Sequence, residues 1–212
     1  MMLMRKFAAF LMSIALPMLA AVGAHPRAAY TIDSKNSKVE IHVAREGFFK
    51  AFGHDHLVSA TQFSGEVQLD TAKLEDSSVS LTIDAKSLTV VDPGESEKDR
   101  KDVQDTMLGD QVLDVARHPQ IQFSSSSVKV LSNNKGEMNL QVEGTLALHG
   151  VKKPVSVPVR VQLADDGTLT ADAEVSLIQS EFGITPIKVA GGTVRVKDKL
   201  RLTFHFIARK AS

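Results

Sequence analysis

Apolar and polar residues alternate with a period of two along most of this 212-residue chain. Val39, Ile41 and Val43 share one parity, with Lys38, Glu40 and His42 on the other. The pattern recurs in Phe63, Gly65, Val67 and Leu69, in Val79, Leu81 and Ile83, and in Met138, Leu140, Val142, Gly144, Leu146 and Leu148. It returns in Val155, Val157, Val159, Val161 and Leu163, then in Leu169, Ala171, Ala173, Val175 and Leu177. A last run, Leu200, Leu202, Phe204 and Phe206, follows a shorter segment with Val194 and Val196. Successive side chains of a strand point to opposite faces, so each run predicts a β-strand with one apolar face. Turn residues at 133–136, 149–150, 165–167 and 191–192 separate the runs. Short connections between such strands predict antiparallel neighbours, and about eight of them predict an all-β barrel or sandwich.

Residues 93–113, PGESEKDRKDVQDTMLGDQVL, break the alternation. The segment is charged, and Val103, Met107 and Leu108 form a narrow apolar stripe at helical spacing. Pro93 suits a first helical turn, and a second short turn is expected over 110–115, after Gly109. The helix is expected to cap one barrel end, or alternatively to gate the mouth as a lid. Pro158, inside an apparent strand, predicts an edge or a bulge.

The inward parity is mostly Val, Leu and Ile, with small residues at Gly65, Gly144, Ala171 and Ala173. An eight-stranded barrel is filled by its own side chains or holds one small ligand. Small inward residues favour a narrow apolar tube with Gly144 in its wall; a fully packed core is the alternative. Such a tube suits a long hydrocarbon chain, because each buried methylene contributes about 0.8 kcal/mol.

The N-terminus has its own pattern. MMLMRK is a short positive segment, FAAFLMSIALPMLAAVG is apolar, and Val22, Gly23 and Ala24 are small. This predicts a secretory signal peptide over 1–24, a single domain over 25–212, and a periplasmic location in a Gram-negative envelope. The run is short for a membrane span and contains Pro17. The whole chain has 25 basic and 25 acidic residues; Arg5 and Lys6 leave with the leader, so the mature chain is acidic by two. That balance gives no electrostatic basis for nucleic-acid binding. The absence of Cys removes disulfides, thiolate metal sites and a Cys nucleophile.

Residues 47–58, GFFKAFGHDHLV, concentrate the candidate chemistry. His54 and His56 would share one face of a strand. Three uses stay open: a structural turn, a polar contact to a ligand head group, or a metal or acid/base site. A metal site needs three or four ligands, with His42, His118, His149 and His205 as the other histidines. Phe48, Phe49 and Phe52 suit the mouth of a tube holding an amphiphile, a transient contact with a membrane surface, or plain core. Basic residues at 152–153 and at Arg195, Lys197, Lys199 and Arg201 form solvated faces that can also meet anionic lipid heads. The run 124–127 has no nucleophile elbow, and no glycine loop for phosphate or paired acid/base carboxylates is evident. No enzyme activity and no cofactor are expected.

Several ordered segments carry a resemblance: YTIDSKNSKVEIHV, FSGEVQLDTAKLEDSSVSLTIDAKSL, LGDQVLDVARHPQIQFSSSSV, GTLALHGVKKPVSVPVRV and SEFGI. Together they resemble the YceI-like family of lipid- or polyisoprenoid-binding proteins, over about 29–209. The resemblance implies an extended, lipocalin-like antiparallel β-barrel with an apolar interior. It also implies a bound polyprenyl chain, such as an isoprenoid quinone tail, an exported protein, and in some relatives a membrane b-type cytochrome as partner. The family supplies no catalytic motif. Phe63, Phe123 and Phe182 lie in matching segments and are candidate pocket or core residues. The Gly-His-Asp-His stretch departs from the commonest family pattern and leaves the ligand open. The expected function is therefore an exported carrier of an isoprenoid or similar apolar lipid, with a metal-binding or redox/hydrolytic protein using His54 and His56 as the alternative.

Overall fold

A computed structural model describes residues 27–46, 55–93, 95–189 and 194–211 of the chain. The expected leader, Phe48, Phe49, Phe52, His54 and the 191–192 turn lie outside the described residues. In chain order the strands are β1 (Ala28–Ile32), β2 (Lys38–Val43), β3 (Arg45–Glu46), β4 (His56–Ala60), β5 (Phe63–Leu69), β6 (Ser78–Asp84) and β7 (Leu88–Val90). Helix α1 (Glu97–Leu108) follows, then β8 (Gln120–Asn134), β9 (Glu137–Leu148), β10 (Val151–Leu163), β11 (Leu169–Ile178), β12 (Lys188–Val189), β13 (Val194–Val196) and β14 (Lys199–Lys210).

Eight strands, in the order β1-β5-β6-β8-β9-β10-β11-β14, form an antiparallel barrel that closes where β1 pairs with β14. The alternation seen in the sequence is what permits closure: one parity of every strand packs inward. The edge of β14 is shared. Its C-terminal part pairs with β1, and Arg201 to His205 pair with β2, which continues through β4 to β7. A second small sheet, β12-β13-β3, sits beside this extension. Two-residue turns join β8 to β9 and β9 to β10. Lys135 and Gly136, and His149 and Gly150, all have positive φ, the geometry whose twist suits a tight hairpin.

Pro158 has a local consequence. The β9–β10 ladder runs through both Pro154 and Pro158, so their nitrogens, which cannot donate, must face the other edge. On that edge β11 pairs only from Val159 onward. Strand β10 is thus an edge as far as Pro158 and an interior strand beyond it. Where the ladder is missing, Val155, Val157, Val175 and Leu177 still face the barrel interior.

Helix α1 begins later than Pro93 suggested. Ser96 is the N-cap: its Oγ accepts from the Asp99 backbone N–H at 3.1 Å and donates to Asp99 Oδ2 at 2.7 Å. A cap that satisfies an orphan N–H outweighs a proline's preference for the first turn. The solvent face carries the exposed pairs Lys98–Asp102 and Lys101–Asp105. The Lys98 hydrogen bond holds the Asp102 carboxyl below its ordinary value. Such exposed pairs contribute little to stability.

The helix is fastened to the sheet by Gln104. Its Oε1 accepts from Val90 N–H at 2.8 Å, and its Nε2 donates to the Leu88 carbonyl at 2.6 Å. One side-chain amide thus takes the place of a neighbouring strand on the outer edge of β7. Gln104→Ala is expected to cost about 1–2 kcal/mol and to speed amide exchange at Val90. Unchanged exchange there would show that this latch does not hold the helix.

Candidate functional site

The barrel encloses a cavity of about 830 Å³. That lies within the roughly 300–1,000 Å³ of typical small-molecule sites. Its walls are the inward parities of the strands: Ile41 and Val43 from β2, Leu81 from β6, Val142 from β9, Val159 from β10, Ala171 and Ala173 from β11, and Phe204 and Phe206 from β14. Val103, Thr106 and Met107 of α1, with Val112 and Leu113 of the following turn, also line it. Val103 and Met107 of the expected stripe therefore face the cavity, Leu108 packs against the core, and no residue of α1 is fully buried.

The glycines play a different part from the one expected. A Cβ on Gly144 would lie 2.5 Å from Cε2 and Cζ of Phe123 and 2.6 Å from the Ser124 carbonyl oxygen. A Cβ on Gly65 would lie 2.6 Å from Cδ1 of Ile32 and 2.7 Å from the Ser80 carbonyl oxygen. The space over each glycine is taken by a neighbouring side chain, not left to the tube. Gly144→Phe would collide with Phe123 rather than plug the cavity. Ala171 and Ala173 do face open cavity.

The aromatic candidates fall in three environments. Phe123, on β8 opposite Leu81 and Leu146, lines the cavity with its ring over Gly144. Phe63 is buried in the core, its ring centroid 5.9 Å from that of Phe206. Phe182 is 1% exposed, in the 3-10 turn Gln179–Phe182, and packs in the core cluster outside the cavity lining. Its carbonyl lies 3.2 Å from Nδ1 of His149.

Polar groups gather at one end. His56 opens β4, directly opposite Val43 of β2, and lines the cavity. Its Nδ1 lies 2.6 Å from Oδ2 of Asp92, whose Oδ1 accepts from Leu57 N–H at 2.5 Å. Asp92 is 4% exposed, so both carboxylate oxygens are satisfied inside the protein. A carboxylate only accepts, which places a proton on Nδ1 and leaves Nε2 as the other ring contact. Arg45 lines the same end, as do Glu95 and Arg195, the latter paired with Glu46 at 2.5 Å. Asp92→Ala is expected to destabilise the fold by about 1–3 kcal/mol, because the Leu57 N–H loses its partner. Equilibrium urea unfolding measures it, and an unchanged midpoint would contradict this role.

Among the described residues, two groups of side chains place possible metal donors within 4.8 Å of one another: His56, Asp92 and Glu95, and Asp114, His118 and His149. In the second, Asp114 pairs with Arg117, and the rings of His118 and His149 meet edge-on at 5.0 Å. The His118 ring lies against Gly150, where a Cβ would be 2.7 Å from its Cε1. These contacts fix the β9–β10 hairpin against the turn after α1. Sequence spacing gave no sign that His118 and His149 converge, since barrel closure brings them together. Arg45 and Asp92 were missed as well. Strand parity does not locate Arg45, because β2 ends at Val43, Arg45 belongs to β3 of the small sheet, and Ala44 lines the cavity too.

An eight-stranded antiparallel barrel closed around an apolar cavity, with polar groups at one end, is a lipocalin-like binding fold. Residues 30–208 match the YceI-like domain, and the chain belongs to the YceI-like family. A UPF0312 protein of Vibrio parahaemolyticus is 30% identical over 154 residues, covering 72% of each chain. One from Shewanella denitrificans is 30% identical over 132 residues, which span 61% of this chain and 60% of that relative. The crystal structure of Burkholderia cenocepacia BcnA is similar with a TM-score of 0.66 and 26% identity, over 83% of this chain and 98% of that one. A polyisoprenoid binding domain from Saccharophagus degradans shares the fold with a TM-score of 0.60 and 16% identity, over 87% of this chain and 99% of its own.

Proposed function

We propose that this protein is an exported carrier that buries the chain of an isoprenoid or similar long apolar lipid inside its barrel. The observation that carries this reading is the cavity itself: about 830 Å³, walled mainly by Val, Leu, Ile and Phe, with few charged residues in its described lining. Burying ten methylenes there would contribute about 8 kcal/mol before the costs of association. The N-terminal leader pattern supports export to the periplasm. The description of the Saccharophagus neighbour as a polyisoprenoid binding domain agrees with the choice of ligand. Function is reversible burial, and the polar end receives the head group.

The test is uptake of an apolar fluorescent probe, such as N-phenyl-1-naphthylamine, by delipidated protein. The expected result is enhanced fluorescence that a long-chain polyprenol reverses stoichiometrically. A protein that neither brightens the probe nor takes up the polyprenol is not a lipid carrier. A second reading, a metal-binding protein, is favoured by the His56, Asp92 and Glu95 donors. Equimolar metal in protein purified without chelators, lost in His56→Ala, would support it.

A further inference from the structure

We propose that the polar end of the cavity is a head-group site for an oxyanion, with Arg45 as its counter-ion and His56 beside it. This rests on reading the cavity as a lipid site and names the class of lipid it selects: a long apolar chain that ends in a carboxylate or a phosphate.

Arg45 opens β3, just past the end of β2, and it lines the cavity beside Ala44. Its Nη1 is buried and has no hydrogen-bond partner among the described residues. It is the one buried side-chain nitrogen or oxygen among them in that condition. A buried donor without an acceptor is costly, and more so when it carries charge. A guanidinium is a permanent cation whose planar fork matches the oxygens of a carboxylate or phosphate.

Nearby acids are engaged elsewhere. Glu46 pairs with Arg195 at 2.5 Å. Asp55 accepts from the backbone N–H of Arg45 at 3.1 Å, not from its guanidinium. Asp92 holds Leu57 N–H and His56. On the α1 side, Asp99 pairs with Ser96 and Asp102 with Lys98, while Glu95 lies within 4.8 Å of the His56 and Asp92 donors. Among the described residues none offers an acceptor to Nη1 of Arg45.

His56 completes the site. It lies opposite Val43, the last residue of β2, and Arg45 opens β3 two residues further on, so both side chains line the same end of the cavity. Asp92 occupies Nδ1 and fixes the ring, which leaves Nε2 as the nitrogen available to a ligand. An apolar tube that ends in a guanidinium with a buried, unpartnered nitrogen, and with an oriented imidazole at the same end, fits an amphiphile with its charge at one end. A neutral head would leave the Arg45 charge unanswered.

The experiment compares three probes of one chain length on the full mature protein: hexadecanoate, its methyl ester and hexadecyl phosphate. Each displaces the naphthylamine probe from wild type, Arg45→Met and Arg45→Lys, with circular dichroism confirming the fold. Wild type is expected to bind the acid, the phosphate or both at least about tenfold tighter than the ester, the worth of one charge-assisted hydrogen bond. Arg45→Met is expected to abolish that gap, and Arg45→Lys to retain most of it. The order of acid and phosphate identifies the oxyanion. Equal binding of acid, phosphate and ester by wild type overturns the head-group site and leaves the lipid carrier standing, as does a gap that survives in Arg45→Met. If none of the three displaces the probe, the lipid reading itself fails. If Arg45→Met does not fold, the wild-type gap and its retention in Arg45→Lys decide the matter.

Discussion

Replacing Ala173 with phenylalanine is expected to abolish lipid uptake while leaving the barrel folded. Ala173 lies on β11 between Val159 of β10 and Phe204 of β14, and its side chain faces the open cavity. The added ring would therefore enter void, not packed core, and should cost little stability. It would occupy the room of about four to five methylenes, each worth about 0.8 kcal/mol when buried, so binding should weaken by several hundredfold. Probe displacement measures the loss, and thermal melting checks the fold. Val159→Ala, across the same ladder, widens the cavity and should retain binding. Undiminished uptake by Ala173→Phe would show that the ligand does not pass β11.

The second large effect belongs to Gly144, and it concerns stability. Gly144→Ala would place a methyl group 2.5 Å from the Phe123 ring and 2.6 Å from the Ser124 carbonyl oxygen. The ring can swing toward the cavity, but the carbonyl belongs to the β8–β9 ladder and cannot. Gly144 pairs with Ser125 where the register slips by one residue, between Ser125 and Ser127. A glycine at such a bulge allows close approach of the two backbones. The expected loss is about 1–3 kcal/mol, the usual cost of overpacking. Urea unfolding reads it. Adding Phe123→Leu should restore only the part due to the ring. A wild-type midpoint in Gly144→Ala would mean that the strands separate there more easily than the geometry allows.

The barrel was legible in the sequence for a simple reason. Its strands are long, each buries one face, and two-residue turns join β8, β9 and β10, so alternation and turn chemistry agree. The helix was legible in kind but not in its start, because Ser96 reads as an ordinary polar residue until its hydroxyl is seen to meet Asp99. The small inward residues misled in part. Sequence shows that Gly65 and Gly144 lack side chains but not that Ile32 and Phe123 fill the space above them, since those contacts cross between strands.

The polar end was legible only in fragments. His56 is prominent because its histidine neighbour and the phenylalanines draw attention to it. Asp92, which orients it, lies 36 residues away, and no local pattern links the two. Arg45 was hidden by the usual assumption that a charged residue at a strand end points outward. It lies past the end of β2, in a short strand of the small sheet that no alternation in the sequence marks. The meeting of Asp114, His118 and His149 depends on the turn after α1 folding against the β9–β10 hairpin, a contact set by barrel closure.

The most direct measurement is a native mass spectrum of the untagged protein, purified from its native cells without detergent or chelator. The lipid-carrier proposal predicts the mass of the chain without residues 1–24, plus a ligand mass that disappears on organic extraction and survives chelation. A bare polypeptide that also fails to gain mass when incubated with a long-chain polyprenol would contradict it. Added mass that survives extraction and is lost to chelator would move the function to the histidines.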